Sequence, residues 1–297
     1  MKIEHILVPV DFSQFSEVVI HYAFQIALQY SARLTLFHAV ILFQDDVDEE
    51  QRLDEYQQLL ALREERIAVQ MQHHLDNGIK KGIRISTVIQ RGISPSDVIL
   101  EYLNTNQVDI IVMGTHGRAG LRHLLLGSVA EKVGRFSAVP VLTVHRSIQN
   151  FQIKKLLVPI DFSPYSKQAT EYAISLARNF NASITFLHVV EQEIFPPFYA
   201  SGVESVFEID PDLDKRVIEN MNEFLSEQLD GHIETSYIVR EGKSHKEIVD
   251  FAREDKSDII VIASHGLTGL DYILLGSTTE KVIRWAKCPV LTVKRKS

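Results

Sequence analysis

The sequence predicts an α/β chain made of two doubly wound parallel sheets, one in each half. Three observations carry that reading. Short apolar runs without polar alternation, as in Ile6-Leu7-Val8 and Ile110-Ile111-Val112, recur between stretches of helical periodicity, as expected of parallel strands covered on both faces. The pattern occurs twice: Ile6-Leu7-Val8-Pro9-Val10-Asp11-Phe12-Ser13 returns 150 positions on as Leu156-Leu157-Val158-Pro159-Ile160-Asp161-Phe162-Ser163. A glycine-rich stretch, Met113–Ser128, leaves one strand and enters a helix, and it too has a counterpart, Ala263-Ser264-His265-Gly266 and then Gly276-Ser277.

The elements follow in order. The opening apolar run of each half is too short for a helix and reads as a strand. Ser163-Pro164 marks a helix start, with Ser as N-cap and Pro at the first helical position, and Ser13 can cap the equivalent helix. Helices are expected over about 14–30 and 165–180. Second strands end at His38 and His188, where Leu34-Thr35-Leu36-Phe37-His38 matches Ile184-Thr185-Phe186-Leu187-His188. In the first half Asp48–Asn77 reads as a charged amphipathic helix closed by Gly78. The second half instead carries Phe195-Pro196-Pro197-Phe198-Tyr199, an ordered flap or a partner patch, before a helix near 211–229. Third strands lie near Ile83–Gln90 and Ile233–Val239, with helices beginning near Ser94 and Lys243. Fourth strands are Val108–Met113 and Asp258–Ile262, and fifth strands Val141–His145 and Val290–Lys294. Between the third and fourth strands the repeat offset falls from 150 to 149, so one residue is lost there or close by.

Composition bounds the function. A chain of 297 residues with 45% hydrophobic content supports two cores, and the boundaries are drawn at 1–147 and 152–297. The link Arg146–Gln152 is short and has no Gly or Pro, so the domains should pack directly. A net charge of −8 and a pI near 5.8 argue against a dedicated nucleic-acid binder. Nothing approaches the apolar length needed to span a bilayer. Cys288 is the only cysteine, which points to a reducing cytoplasm and to core packing rather than to a nucleophile.

The candidate site lies just after the strands. Asp11, His38, Gly92 and Gly114 all fall there and should converge on one rim. Glycines leaving a strand let backbone approach a ligand closely, and free N–H groups at the next helix start favour an anion. The spacing is Gly114-x-x-Gly117, nine residues, then Gly127-Ser128, which is neither a Walker pattern nor a dinucleotide fingerprint. It reads equally as an α/β turn or as a phosphate cradle. Asp11 and Asp161 are either helix-start carboxylates or nucleotide contacts. His38 and His188 read as structural hydrogen-bonders, His73-His74 as a solvated helix face, and His116 and His265 as neighbours of the cradle. The chain has no CxxC, HExxH or GxSxG, and no water-positioning base is evident, which favours binding over turnover.

With Val8-Pro9-Val10-Asp11 and the Gly114, Gly117, Gly127, Ser128 pattern on the page, the chain resembles the universal stress protein family in its tandem form, over about residues 3–145 and 153–295. The resemblance implies two Rossmann-like, adenine nucleotide α-hydrolase-like domains, each a five-stranded parallel sheet in the order 3-2-1-4-5, in a cytoplasmic stress-response protein that binds ATP with a phosphate-bridged Mg²⁺. Asp11 would lie near the ribose, Ala39 near adenine and Gly114 against the sugar, with Gly117, Gly127 and Ser128 on the phosphates. Pro9, Val10, Gly92, Met113, His116, Arg118 and Val129 complete that site. The second, weaker site would use Pro159, Ile160, Asp161, Val189, Gly242, Ala263, His265, Gly266, Gly276, Ser277 and Thr278. Ala263 replaces Gly114, and its methyl either crowds the sugar or, at positive φ, adds about 1 kcal/mol of strain. Leu267 and Asp271 replace Arg118 and Arg122, and a carboxylate there repels phosphate. The halves should form the family's dimer internally, with a further homodimer left open and no nucleic-acid or membrane partner. The competing readings are a slow ATPase or nucleotide enzyme, and a scaffold with vestigial pockets.

Overall fold

The computed structural model describes residues 2–42, 50–115, 126–145, 151–191, 205–229, 231–266 and 275–294, with the side chains of 50–56 outside that description. His116, Gly117, Arg118, Arg122, Leu267, Asp271, most of the link Arg146–Gln152 and the Phe195–Tyr199 loop lie outside the described residues.

The first repeat runs β1 (His5–Pro9), α1 (Gln14–Tyr30), β2 (Arg33–Ile41), α2 (Glu50–Lys80), β3 (Arg84–Gly92), α3 (Pro95–Thr105), β4 (Ile110–Gly114), α4 (Ser128–Phe136) and β5 (Val141–Val144). The second runs β6 (Lys155–Pro159), α5 (Pro164–Phe180), β7 (Ser183–Val190), a one-turn α6 (Val206–Ile209), α7 (Leu213–Leu225), β8 (Thr235–Glu241), α8 (Ser244–Glu254), β9 (Ile259–Ala263), α9 (Ser277–Trp285) and β10 (Val290–Val293). Strand order is β3-β2-β1-β4-β5 in the first repeat and β8-β7-β6-β9-β10 in the second. Both are therefore the expected 3-2-1-4-5 sheet. The chain divides into two compact units, Lys2–Arg122 with Gly127–Val141, and mainly Leu142–Ser297, so the division falls inside β5.

The central strands are buried on both faces. Ile6, Leu7 and Val8 are fully buried, as are Leu156, Leu157 and Val158, and burying one such side chain stabilises by about 1.5–3 kcal/mol. β1 pairs in parallel with β2 from His5↔Arg33 to Pro9↔Phe37 and with β4 at Ile6↔Ile110 and Leu7↔Ile111. A carboxylate fixes that second register. Asp109 Oδ2 accepts from the N–H groups of Glu4 and His5 at 2.7 and 2.9 Å, and Asp258 does the same for Lys154 and Lys155 at 2.7 and 3.0 Å.

Three local expectations are corrected. Gly78 does not close α2, which continues to Lys80, with Gly82 taking the left-handed turn at φ +81°. A Cβ on Gly78 would lie 3.0 Å from Ile85 and 3.3 Å from Phe24, so this glycine lets the helix pack closely. Ser13 occupies the N-cap position of α1 without a side-chain cap bond, whereas Ser163 accepts from the Ser166 N–H at 3.1 Å. His73 is solvated, but His74 is only 7% exposed, and its Nε2 lies 3.5 Å from Glu17 of α1.

Candidate functional site

Every parallel strand delivers its C-terminal end to the same rim of its sheet, and those predicted residues that fall among the described ones lie at that rim or at the start of the following helix, His116, Gly117 and Arg118 being outside the described residues. In the first repeat Pro9 ends β1, Val10 and Asp11 follow it, Ala39 lies near the C-terminal end of β2, Gly92 ends β3, and Met113 and Gly114 end β4. Gly127 is the N-cap of α4, Ser128 and Val129 open the helix, and Ser128 is exposed. The Gly127 N–H donates to the Thr115 carbonyl at 2.7 Å, which ties the two ends of the glycine loop together. The first N–H groups of a helix have no intrahelical acceptor, and the macrodipole adds positive potential there. The start of α4 thus presents donors to an anion near the end of β4.

The second repeat rebuilds this plan with Pro159, Ile160 and Asp161 after β6, Val189 in β7, Gly242 after β8 and Ala263 ending β9. Gly276 caps α9, its N–H donating to the Ser264 carbonyl at 2.8 Å, and Ser277 and Thr278 open that helix. Thr279 Oγ1 donates to the Ala263 carbonyl at 2.7 Å, where Ala130 stands in the first repeat. Ala263 is an ordinary strand residue, absent from the positive-φ positions of the described chain. Its methyl therefore carries no backbone strain, and only crowding remains of the two expected effects.

The turn after the first strand holds a feature the sequence reading missed. Phe12 and Phe162 sit at φ +57° and +60°, a left-handed conformation that costs a bulky residue about 1–2 kcal/mol. Each ring packs on the histidine of the neighbouring strand, Phe12 on His38 at 5.0 Å and Phe162 on His188 at 4.9 Å. Those histidines are held in turn, His38 Nδ1 donating to the Val10 carbonyl at 2.6 Å and His188 Nδ1 to the Ile160 carbonyl at 2.7 Å. They are structural, as expected. The repeated Asp-Phe-Ser was the available signal, but nothing in it specifies a left-handed Phe.

Asp11 Oδ1 accepts from the Ser13 N–H at 3.0 Å and from Ser16 Oγ at 2.7 Å. Asp161 Oδ1 accepts from the Ser163 N–H at 3.0 Å and from Ser163 Oγ at 2.6 Å. The structure also brings Asp161 to the cradle, because a Cβ built on Gly266 would lie 2.5 Å from Asp161 Oδ2. His265 packs on Tyr165, ring centroids 6.0 Å apart, and accepts or donates through Nδ1 to Ser264 Oγ at 2.8 Å. Gly92 and Gly242 face the helices that follow them: a Cβ on Gly92 would overlap Val98, and one on Gly242 would lie 3.0 Å from Glu247 Oε1. Lys294, just past β10, is a rim residue the sequence reading passed over, and burial lowers its pKa to about 8. Among the described residues, no group of three His, Cys, Asp or Glu side chains is placed to hold a metal ion. Nor, among them, is any helix long and apolar enough to cross a membrane.

Comparison with known proteins agrees with this architecture. The model of the universal stress protein family matches residues 2–145 and again 152–294. Universal stress protein MJ0531 of Methanocaldococcus jannaschii is 36% identical over 143 residues, 48% of this chain and 82% of its own. The universal stress protein E homolog of Haemophilus influenzae is 26% identical over 259 residues, 82% of this chain and 80% of its own. A crystal structure of a universal stress protein from Archaeoglobus fulgidus superposes with a TM-score of 0.73 at 24% identity, over 98% of each chain, a likeness of fold. With the family's model matched twice in succession along a chain whose two repeats share one strand order, the chain belongs to the universal stress protein family as a tandem member.

Proposed function

We propose that the chain binds ATP with Mg²⁺ at the first repeat and acts as a nucleotide-dependent regulatory or interaction module in the cytoplasm. The observation that carries this reading is the position of Gly127-Ser128, at the start of α4 and tied back to the end of β4, on the rim that also holds Asp11. Gly117, His116 and Arg118 belong to it by spacing. The residues suit a metal held chiefly by phosphate oxygens, since the groups at the start of α4 are N–H donors and the Ser128 hydroxyl. Those groups would bind and orient the phosphates, and Asp11 would accept from a ribose hydroxyl. Neither role requires turnover.

Calorimetric titration of the intact chain with Mg·ATP tests this, with one tight site expected and lost in Gly117→Val. Unchanged affinity in that variant rejects the assignment. Appearance of ADP, AMP or an adenylylated product at turnover-level protein concentrations would favour the enzyme reading instead. The internal pairing of the halves belongs to the same proposal: separately expressed halves should self-associate or recombine, and halves that stay monomeric and mutually inert reject it. For the second repeat one observation favours an empty pocket, namely the Asp161 carboxylate resting against Gly266.

A further inference from the structure

The turn after the first strand is closed in the same way in both repeats, and under strain in both. Phe12 and Phe162 take left-handed φ values of +57° and +60°, a region that a bulky residue enters only when its surroundings hold it there. The Phe12 ring lies 5.0 Å from that of His38, whose Nδ1 donates to the Val10 carbonyl at 2.6 Å. The Phe162 ring lies 4.9 Å from that of His188, whose Nδ1 donates to the Ile160 carbonyl at 2.7 Å. Each series of contacts leaves the residue after the aspartate and returns to the residue before it. Ring, imidazole and carbonyl thus form a bracket around Asp11 and another around Asp161. The residue before each aspartate is tied through its N–H as well, Val10 to the Phe37 carbonyl and Ile160 to the Leu187 carbonyl, both at 2.8 Å. In the second repeat Phe224 adds a further ring, 5.6 Å from Phe162.

The left-handed residue decides where the carboxylate stands. It folds the chain back so that the next N–H reaches the aspartate, Ser13 to Asp11 Oδ1 and Ser163 to Asp161 Oδ1, each at 3.0 Å. The serine hydroxyls on the two carboxylates differ, Ser16 in one and Ser163 in the other, whereas this backbone anchor is the same. Glycine would make such a turn without strain. A phenylalanine clamped there by the neighbouring strand fixes one orientation that a freer turn would leave open. We propose that Phe12 is a positioning residue of the first site, which acts through His38 and the Val10 carbonyl to hold Asp11 at the rim for a ribose hydroxyl, and so makes the site prefer a ribonucleotide. This rests on the reading of the rim as an ATP site. His38 immediately precedes Ala39, so the same bracket joins the end of β1 to the end of β2, the two strand ends that would meet the nucleoside.

The test titrates the full chain with the Mg²⁺ complexes of ATP, 2′-deoxy-ATP and 3′-deoxy-ATP. The parent should bind ATP more tightly than at least one deoxy analogue by about tenfold or more, as expected of one hydrogen bond to a charged group. Phe12→Gly, which can keep the left-handed backbone but has no ring, should lose that preference: affinity for ATP falls to that for the deoxy analogue, which itself is unchanged. Phe12→Tyr keeps the ring and should keep the preference. A ring that only supported the fold would lower the melting temperature and leave the ratio of affinities alone. An undiminished ratio in Phe12→Gly therefore overturns the bracket, as does an equal fall for all three nucleotides or a Phe12→Tyr chain that behaves like Phe12→Gly. Should Phe12→Gly not fold, His38→Gln replaces it, since it can still donate to the Val10 carbonyl but offers Phe12 no ring; the same loss of preference is expected, and its retention overturns the proposal. The parent chain separates the two ideas. Absence of a tight ATP site rejects the nucleotide reading and the bracket's role with it, while a parent that binds ATP and both deoxy analogues alike rejects the bracket alone.

Discussion

The two repeats solve the same turn between third strand and following helix with different chemistry, and the contrast shows what one residue does. In the first, two residues, Ile93 and Ser94, separate Gly92 at the end of β3 from Pro95 at the start of α3. In the second only Lys243 stands between Gly242 and Ser244, and Gly242 adopts φ +141°. The residue lost between the repeats is therefore lost here. A shorter connection must reverse more sharply, and glycine alone enters that region without strain. Gly92 has no such φ and is required because Val98 of α3 packs directly over its Cα. Matching glycines thus answer to a backbone demand in one half and a packing demand in the other. The same lesson holds for Asp11 and Asp161, whose shared Asp-Phe-Ser-x-x-Ser pattern gives different hydroxyl partners.

Four experiments break or sharpen the comparison, from the largest expected effect to the smallest. Gly117→Val should weaken ATP binding by about 100-fold, equivalent to roughly 2.7 kcal/mol, whereas Gly266→Val should leave the tight site alone. Calorimetry of the two variants showing the reverse pattern, or two equivalent sites in the parent chain, would remove the inequality between the repeats.

Next comes stability at the paired glycines. Gly92→Ala should cost about 1–3 kcal/mol by overpacking against Val98, and most of that should return in Gly92→Ala/Val98→Ala after the intrinsic cost of the Val98 truncation is subtracted. Gly242→Ala should cost about 1 kcal/mol or more through its backbone, and trimming Glu247 should not relieve it. Urea denaturation of both double-mutant cycles checks this, and rescue at Gly242 would show that the strain is not in the backbone.

A smaller effect concerns pH. Burial lowers the pKa of His74 and outweighs the raising influence of Glu17, and burial likewise lowers that of His5. The unfolded chain therefore takes up protons first as pH falls. The contribution is fully present above the unfolded value near 6.5 and is lost as pH drops below it towards the folded value. The corresponding positions of the second repeat are Phe224 and Lys155, but burial also lowers the pKa of His245 there, so each repeat contributes to the slope through histidines at different places. His74→Phe should flatten the dependence of melting temperature on pH between about 7 and 5.5, and an unchanged slope would place it elsewhere.

The least effect is expected at Cys288. Its thiol is buried and its pKa pushed up to about 12, and Val139 stands in its place in the first repeat. Cys288→Val should change stability by less than about 1.5 kcal/mol and leave nucleotide binding as it was. Reaction of the native thiol with a maleimide at neutral pH should be slow until the chain unfolds.

The sequence alone determined the duplication, the order of strands and helices and the rim on which the glycines fall. These depend on the period of apolar residues, on Ser-Pro at a helix start and on spacing, all of which are local or repeat exactly once along the chain. Tertiary structure decided what each repeated residue touches. That Gly78 packs a helix instead of ending it, that His74 is buried beside its solvated neighbour His73, that Phe12 and Phe162 are held left-handed by a histidine ring, and that Asp161 rests on Gly266 all depend on which atoms of distant segments arrive at the same place. A pattern fixes the face on which a residue stands. The partner across that face comes from elsewhere in the chain, and hydrogen-bond satisfaction and close packing choose the arrangement that each copy of a repeated turn adopts.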